Sequence, residues 1–142
     1  MPSKAWKIGF LIILLFTIAS ELLLVFDDYV FTRIGIDRNI IKLIFWLTPM
    51  FAAYIATYYS KTNKLLMGLS YIILFPVIFT CIHYINGEFG SAVDFTGSSG
   101  ALVVFKVSAA IGSIMIIIGT LLGLLFSKQK TSSTNEQLFK KL

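Results

Sequence analysis

The run Ile8–Phe26, IGFLIILLFTIASELLLVF, constrains this chain more than any other stretch. It is apolar for the length a helix needs to cross a bilayer, it follows Lys4 and Lys7, and it carries one acid, Glu21, inside it. Lys4 and Lys7 with Thr17-Ile18-Ala19 also outline a signal peptide with a small-residue cleavage site. The apolar run continues beyond that site through Leu22–Phe26, so an uncleaved anchor is expected.

Three more runs repeat the theme. Spans are expected at about 8–26, 40–59, 65–85 and 101–126, with a polar tail over 127–142. Charged residues are 13% of the chain, against about 25% in a soluble domain, so composition agrees. The expected fold is an all-α membrane protein, one domain built as a four-transmembrane-helix bundle. The loop SKTNK, Ser60–Lys64, is short enough to make the second and third spans an antiparallel hairpin.

The net charge of +5 does not point to nucleic acid, because the basic residues flank apolar runs. Lys4, Lys7, Lys61, Lys64, Lys128, Lys130, Lys140 and Lys141 fall on one side of the predicted membrane, and Arg33, Arg38 and Lys42 on the other. That asymmetry predicts cytoplasmic N- and C-termini in a cell membrane, with the bilayer as a constant partner. In the tail, Ser133-Thr134-Asn135-Glu136 outlines a capping box, and Leu138, Phe139 and Leu142 interleave with Lys140 and Lys141. A short helix on the inner leaflet and a frayed terminus both fit that pattern.

The outer connections are read as a headgroup-level segment, Asp27–Asn39, and a Gly/Ser-rich linker, Asn86–Gly100. Asp27, Asp28, Glu88 and Asp94 give that side a mild attraction for cations, but no converging set of oxygens that would hold a metal. Cys81 is single, so it forms no intrachain disulfide and is read as a buried small apolar group.

Several residues are costly or informative in lipid. Pro49 and Pro76 lie near the middles of the second and third spans, where each removes a backbone hydrogen bond. They are read as tolerated kinks, with a hinge as the second reading. On the fourth span Ser108, Gly112, Gly119 and Gly123 share a narrow arc, and Gly119 and Gly123 have GxxxG spacing. Packing inside the bundle is expected of that arc, and self-association through Gly119 and Gly123 is the alternative. A second arc carries Lys106, Ser113 and Thr120.

Glu21 is the sharpest feature, since a carboxylate in mid-span costs roughly 2.5–3.5 kcal/mol on insertion scales. Helical side chains point toward the helix N-terminus, so Glu21 is aimed away from the nearer water. Lys106, the apparent partner, points outward by the same rule and is read as an interfacial residue. Two neighbours remain: Thr17, one turn below on the same face, and His83, which descends toward Glu21 from the third span. Glu21, Thr17, His83 and Lys106 are the candidate intramembrane polar site, either a satisfied structural acid or a working one.

No HExxH, GxSxG or cysteine pair is present, so neither an enzyme nor a cofactor is expected. The reading that asks least is a non-catalytic accessory, regulatory or protective protein, touching another membrane protein through helix faces and outer loops. The alternative is an oligomeric small transporter or channel using Glu21 as its proton or cation site. Four spans with an acid in the first are similar in layout to the small multidrug-resistance exporters. That family's motif around the acid is not found here, the loops are longer and the chain is larger, so no family is assigned.

Overall fold

The computed structural model describes residues 4–25, 35, 37–89 and 98–139. Among the described residues there is no strand. The elements are α1 (Lys4–Val25), α2 (Arg38–Tyr59), α3 (Lys64–Leu69), α4 (Tyr71–Phe89) and α5 (Ser98–Phe139). Much of both expected outer connections lies outside the described residues.

Among the described residues, three stretches are long and apolar enough to cross a membrane: Lys4–Leu23, Lys64–Ile85 and Gly100–Ser127. The expected second span is present as the helix α2 but does not reach that level of apolarity over its described residues. Lys42, Trp46, Thr48, Pro49, Thr57 and three tyrosines dilute it.

The most extensive helix contacts in the molecule are those of α2, with α5 on one side and α1 on the other. Its buried residues Phe45, Thr48, Pro49, Ala52, Ala53, Ala56 and Thr57 recur at helical spacing and form one stripe. Apart from Phe45 that stripe is small or polar, while Ile40, Leu43, Ile44 and Phe51 face outward. A helix packed between two others shows less of itself to lipid and can carry more polar groups.

Local chemistry sets the boundaries. Asp37 starts α2: its Oδ1 accepts the Asn39 backbone N–H at 2.8 Å. The Ser60–Asn63 turn ends with Asn63 in the left-handed region (φ 49°), a conformation asparagine tolerates better than most residues. The expected third span is interrupted at Ser70, whereas the helices carrying Pro49 and Pro76 run through both prolines. Both prolines are fully buried.

The fourth helix is longer than the sequence suggests. α5 is 42 residues and continues through Ser127 to Phe139 with no break where the polar tail was expected to start. The tail contains no glycine or proline to stop it, and its Lys, Gln and Glu residues are good helix formers.

The core lies where α1, α2, α4 and α5 converge. Ile13, Ala52, Ala53, Ala56, Tyr71, Phe75 and Ile116 are fully buried there, with Phe45 close to it. Phe45 sits 4.9 Å from the Phe79 ring and 5.9 Å from the Phe75 ring, joining α2 to α4 by aromatic contact.

Candidate functional site

Glu21 sits on the buried face of α1, on the stripe that includes Ile13 and Thr17. Its side chain is 5% exposed, and its Oε1 lies 3.0 Å from His83 Nδ1 on α4. The side chain of His83 is 18% exposed, and its ring lies 5.9 Å from the Phe79 ring. With the acid ionised, Nδ1–H donates to the carboxylate; with the acid protonated, the carboxyl O–H donates to Nδ1. Either partner can therefore carry the bridging proton, and the contact survives the exchange. This meeting of α1 and α4 agrees with the side-chain directions of the two helices.

The other two members of the expected site lie elsewhere. Thr17 is fully buried, but its hydroxyl donates to the Ile13 carbonyl at 2.8 Å rather than to Glu21. The reason is local: a threonine in a helix finds the carbonyl one turn back within reach without any tertiary rearrangement. Ser20 does the same to the Thr17 carbonyl at 2.8 Å. Lys106 is exposed, and among the described residues it forms no ion pair. Cys81 is exposed too, which corrects the expectation of a buried thiol. No three of His, Cys, Asp and Glu converge as a metal-binding group among the described residues.

The predicted small-residue arc of α5, Ser108, Gly112, Gly119 and Gly123, is buried throughout. Ser108 is fully buried and donates to the Phe105 carbonyl at 3.0 Å. Gly112 takes the Phe75 ring of α4, whose nearest carbon would lie 2.5 Å from an added Cβ. Gly119 lies against the Met50 backbone carbonyl of α2, and Gly123 against Tyr54 and Thr57 of the same helix. The GxxxG pair thus seats α5 on α2 within one chain. Gly68 of α3 completes the seam, lying against the hydroxyls of Thr57 and Thr120. Those two hydroxyls are buried without a hydrogen-bond partner, as is that of Thr80.

One constellation escaped the sequence. The Trp6 indole N–H donates to Ser70 Oγ at 2.7 Å, and Ser70 Oγ–H donates to the Met67 carbonyl at 2.9 Å. The Tyr71 hydroxyl donates to the Trp6 carbonyl, with the two rings stacked 5.7 Å apart. The start of α1 thereby holds the α3–α4 break in place. Gly9 was its only sequence-level trace, since a side chain there would collide with the Tyr71 hydroxyl.

Compared with known proteins, the chain matches no family model, no curated protein and no solved structure.

Proposed function

We propose that this chain is a multi-pass integral protein of the cell membrane, with α2 as a fourth span and both termini cytoplasmic. We propose further that it acts without catalysis, as an accessory or regulatory subunit of another membrane protein. The observation that carries this reading is that the buried acid and most buried hydroxyls, those of Thr57, Thr80 and Thr120 excepted, are occupied internally. Glu21 is held by His83, and Thr17, Ser20, Thr48 and Ser108 bond to carbonyls of their own helices. Large apolar side chains cover the outside, among them Leu15, Leu22, Ile73, Ile114 and Leu125. A surface of that kind is suited to lipid and to the helices of a partner.

The test is purification in mild detergent followed by cross-linking and native mass measurement. A stoichiometric partner, released by bulky substitutions on one outer face, supports the reading. A clean chain or homo-oligomer with no partner sinks it. Topology is checked separately in a Cys81→Ser background: Ser98→Cys is expected to label from outside and Ser132→Cys to remain protected.

The Glu21–His83 contact favours a second reading, an oligomeric transporter in which that pair relays a proton. Under it, Glu21→Gln abolishes proton-linked flux in proteoliposomes while expression and oligomer size hold. Wild-type protein without flux for cations or lipophilic drugs removes that reading.

A further inference from the structure

A groove of about 740 Å³ opens where the first turns of α1 meet the last turns of α2 and the turn into α3. Its walls are of two kinds. Ile8, Ile55 and Met67 supply an apolar surface, and Lys4 and Lys61 supply two positive charges. Both lysines are exposed, and among the described residues neither takes part in an ion pair. Tyr54 and Tyr59 line the same space, residues that favour sites with one apolar and one wet end. Trp6, which follows the groove residue Ala5, stacks on Tyr71 and adds to the aromatic residues at this end of the molecule.

Uncompensated cations beside an aliphatic wall complement a molecule with a negative head and a hydrocarbon tail. We propose that this groove binds one anionic glycerophospholipid. Its phosphate sits between Lys4 and Lys61, and an acyl chain lies along Ile8, Ile55 and Met67. The volume falls within the range of about 300–1,000 Å³ typical of small-ligand sites, enough for a headgroup and part of one chain. Lysine is an effective point-charge partner for phosphate, and basic pockets between membrane helices are suited to anionic headgroups. A free phosphate would use the lysines and leave the apolar wall without purpose. The proposal rests on the chain being membrane-embedded, but not on the accessory role or on which way the chain faces.

The test uses the full chain, delipidated in detergent and titrated with phosphatidylglycerol or phosphatidylcholine of identical chains. Bound lipid is counted by native mass spectrometry. One phosphatidylglycerol per chain is expected, held in clear preference to phosphatidylcholine. Lys4→Gln and Lys61→Gln should each weaken it by about fivefold, and together by about thirtyfold. Lys106→Gln, on an exposed residue remote from the groove, should leave it unchanged. Ile55→Trp, which fills the apolar wall and keeps both charges, should also weaken it. Circular dichroism confirms that each variant is folded. Equal binding of the two lipids, or full affinity in the double variant, overturns the proposal. So does equal loss in Lys106→Gln, which would mean diffuse surface charge. Glycerol phosphate binding as tightly as the lipid overturns the lipid assignment in favour of a free phosphate ester. A partner-free protein that still passes these tests leaves this site standing while the accessory role falls.

Discussion

Two helix contacts in this molecule are made in opposite ways. α2 and α5 share the most extensive contact and meet through close approach: Gly119 against the Met50 backbone, Gly123 against Tyr54 and Thr57. α1 and α4 touch over a much smaller area, yet directional bonds fasten them at two levels. Trp6 and Tyr71 tie one end, and Glu21 and His83 the other. Trp6 and Glu21 are fifteen positions apart, about 22 Å along the helix. Between helices in lipid the hydrophobic effect gives little net attraction, so packing and hydrogen bonds must supply it. One contact relies on the first, and the other on the second.

The sharpest way to break the packed contact is Gly119→Ala. The added methyl would meet a backbone carbonyl, which cannot rotate away, so α5 must move off α2. A loss of about 3 kcal/mol is expected, at the upper end of ordinary overpacking costs. It is read from denaturant unfolding in detergent micelles. Gly112→Ala is the comparison, because its methyl meets the Phe75 ring, which can shift. Equal losses at the two glycines would show that the Met50 carbonyl is not the limiting contact.

The bonded contact breaks at Glu21. Glu21→Leu should cost about 2 kcal/mol, mostly because a buried polar partner loses its bond. A double-mutant cycle with His83→Phe isolates the pair, and a coupling of about 1–2 kcal/mol is expected, near the upper limit measured for hydrogen bonds between membrane helices. Additive single effects would show that the 3.0 Å contact contributes nothing specific.

Much of this was legible in the residues, and for different reasons in the two contacts. The glycine arc of α5 needed only helical periodicity. The Glu21–His83 pair needed more: the direction in which helical side chains lean, applied to two helices running the same way. That rule read Lys106 as interfacial rather than as the acid's direct partner, and Lys106 is exposed. It also offered Thr17 as a partner, where the nearer Ile13 carbonyl won. The contacts of α2 with both α5 and α1 were not legible, because the hydropathy of one helix says nothing about which neighbours cover it. The Ser70 break escaped as well. Proline is the usual sequence signal for a helix break, yet the helix runs through Pro76 and the interruption lies where a tryptophan from a distant part of the chain holds a serine side chain. Single-helix periodicity carries no information about that.

The second fastening of α1 gives a smaller effect. Trp6→Phe keeps an aromatic ring for the stack on Tyr71 and removes the N–H that Ser70 accepts. The cost should be about 1 kcal/mol, one hydrogen bond at a partly exposed site. Hydrogen exchange should rise at the α3–α4 break and stay unchanged around His83. Uniform loss of protection along α4 would mean that the two fastenings act as one unit.

The smallest effect should have the opposite sign. Thr57 Oγ1 is buried between α2, α3 and α5 and bonds to nothing, although a threonine can usually reach the carbonyl one turn back, as Thr17 and Thr48 do. Thr57→Val keeps the shape and removes an oxygen that has lost its water without gaining a partner. Stability should therefore rise by up to about 1 kcal/mol, since replacing an unsatisfied polar group by an apolar one of the same shape recovers part of its desolvation cost. Thr48→Val, which removes a made bond to the Ile44 carbonyl, should not gain. If both variants gain equally, the hydroxyl's bonding is irrelevant and only shape matters at the seam. If Thr57→Val loses stability instead, its hydroxyl is bonded within the seam, where the Thr120 hydroxyl also lies against Gly68, and the α2–α5 contact is not held by packing alone.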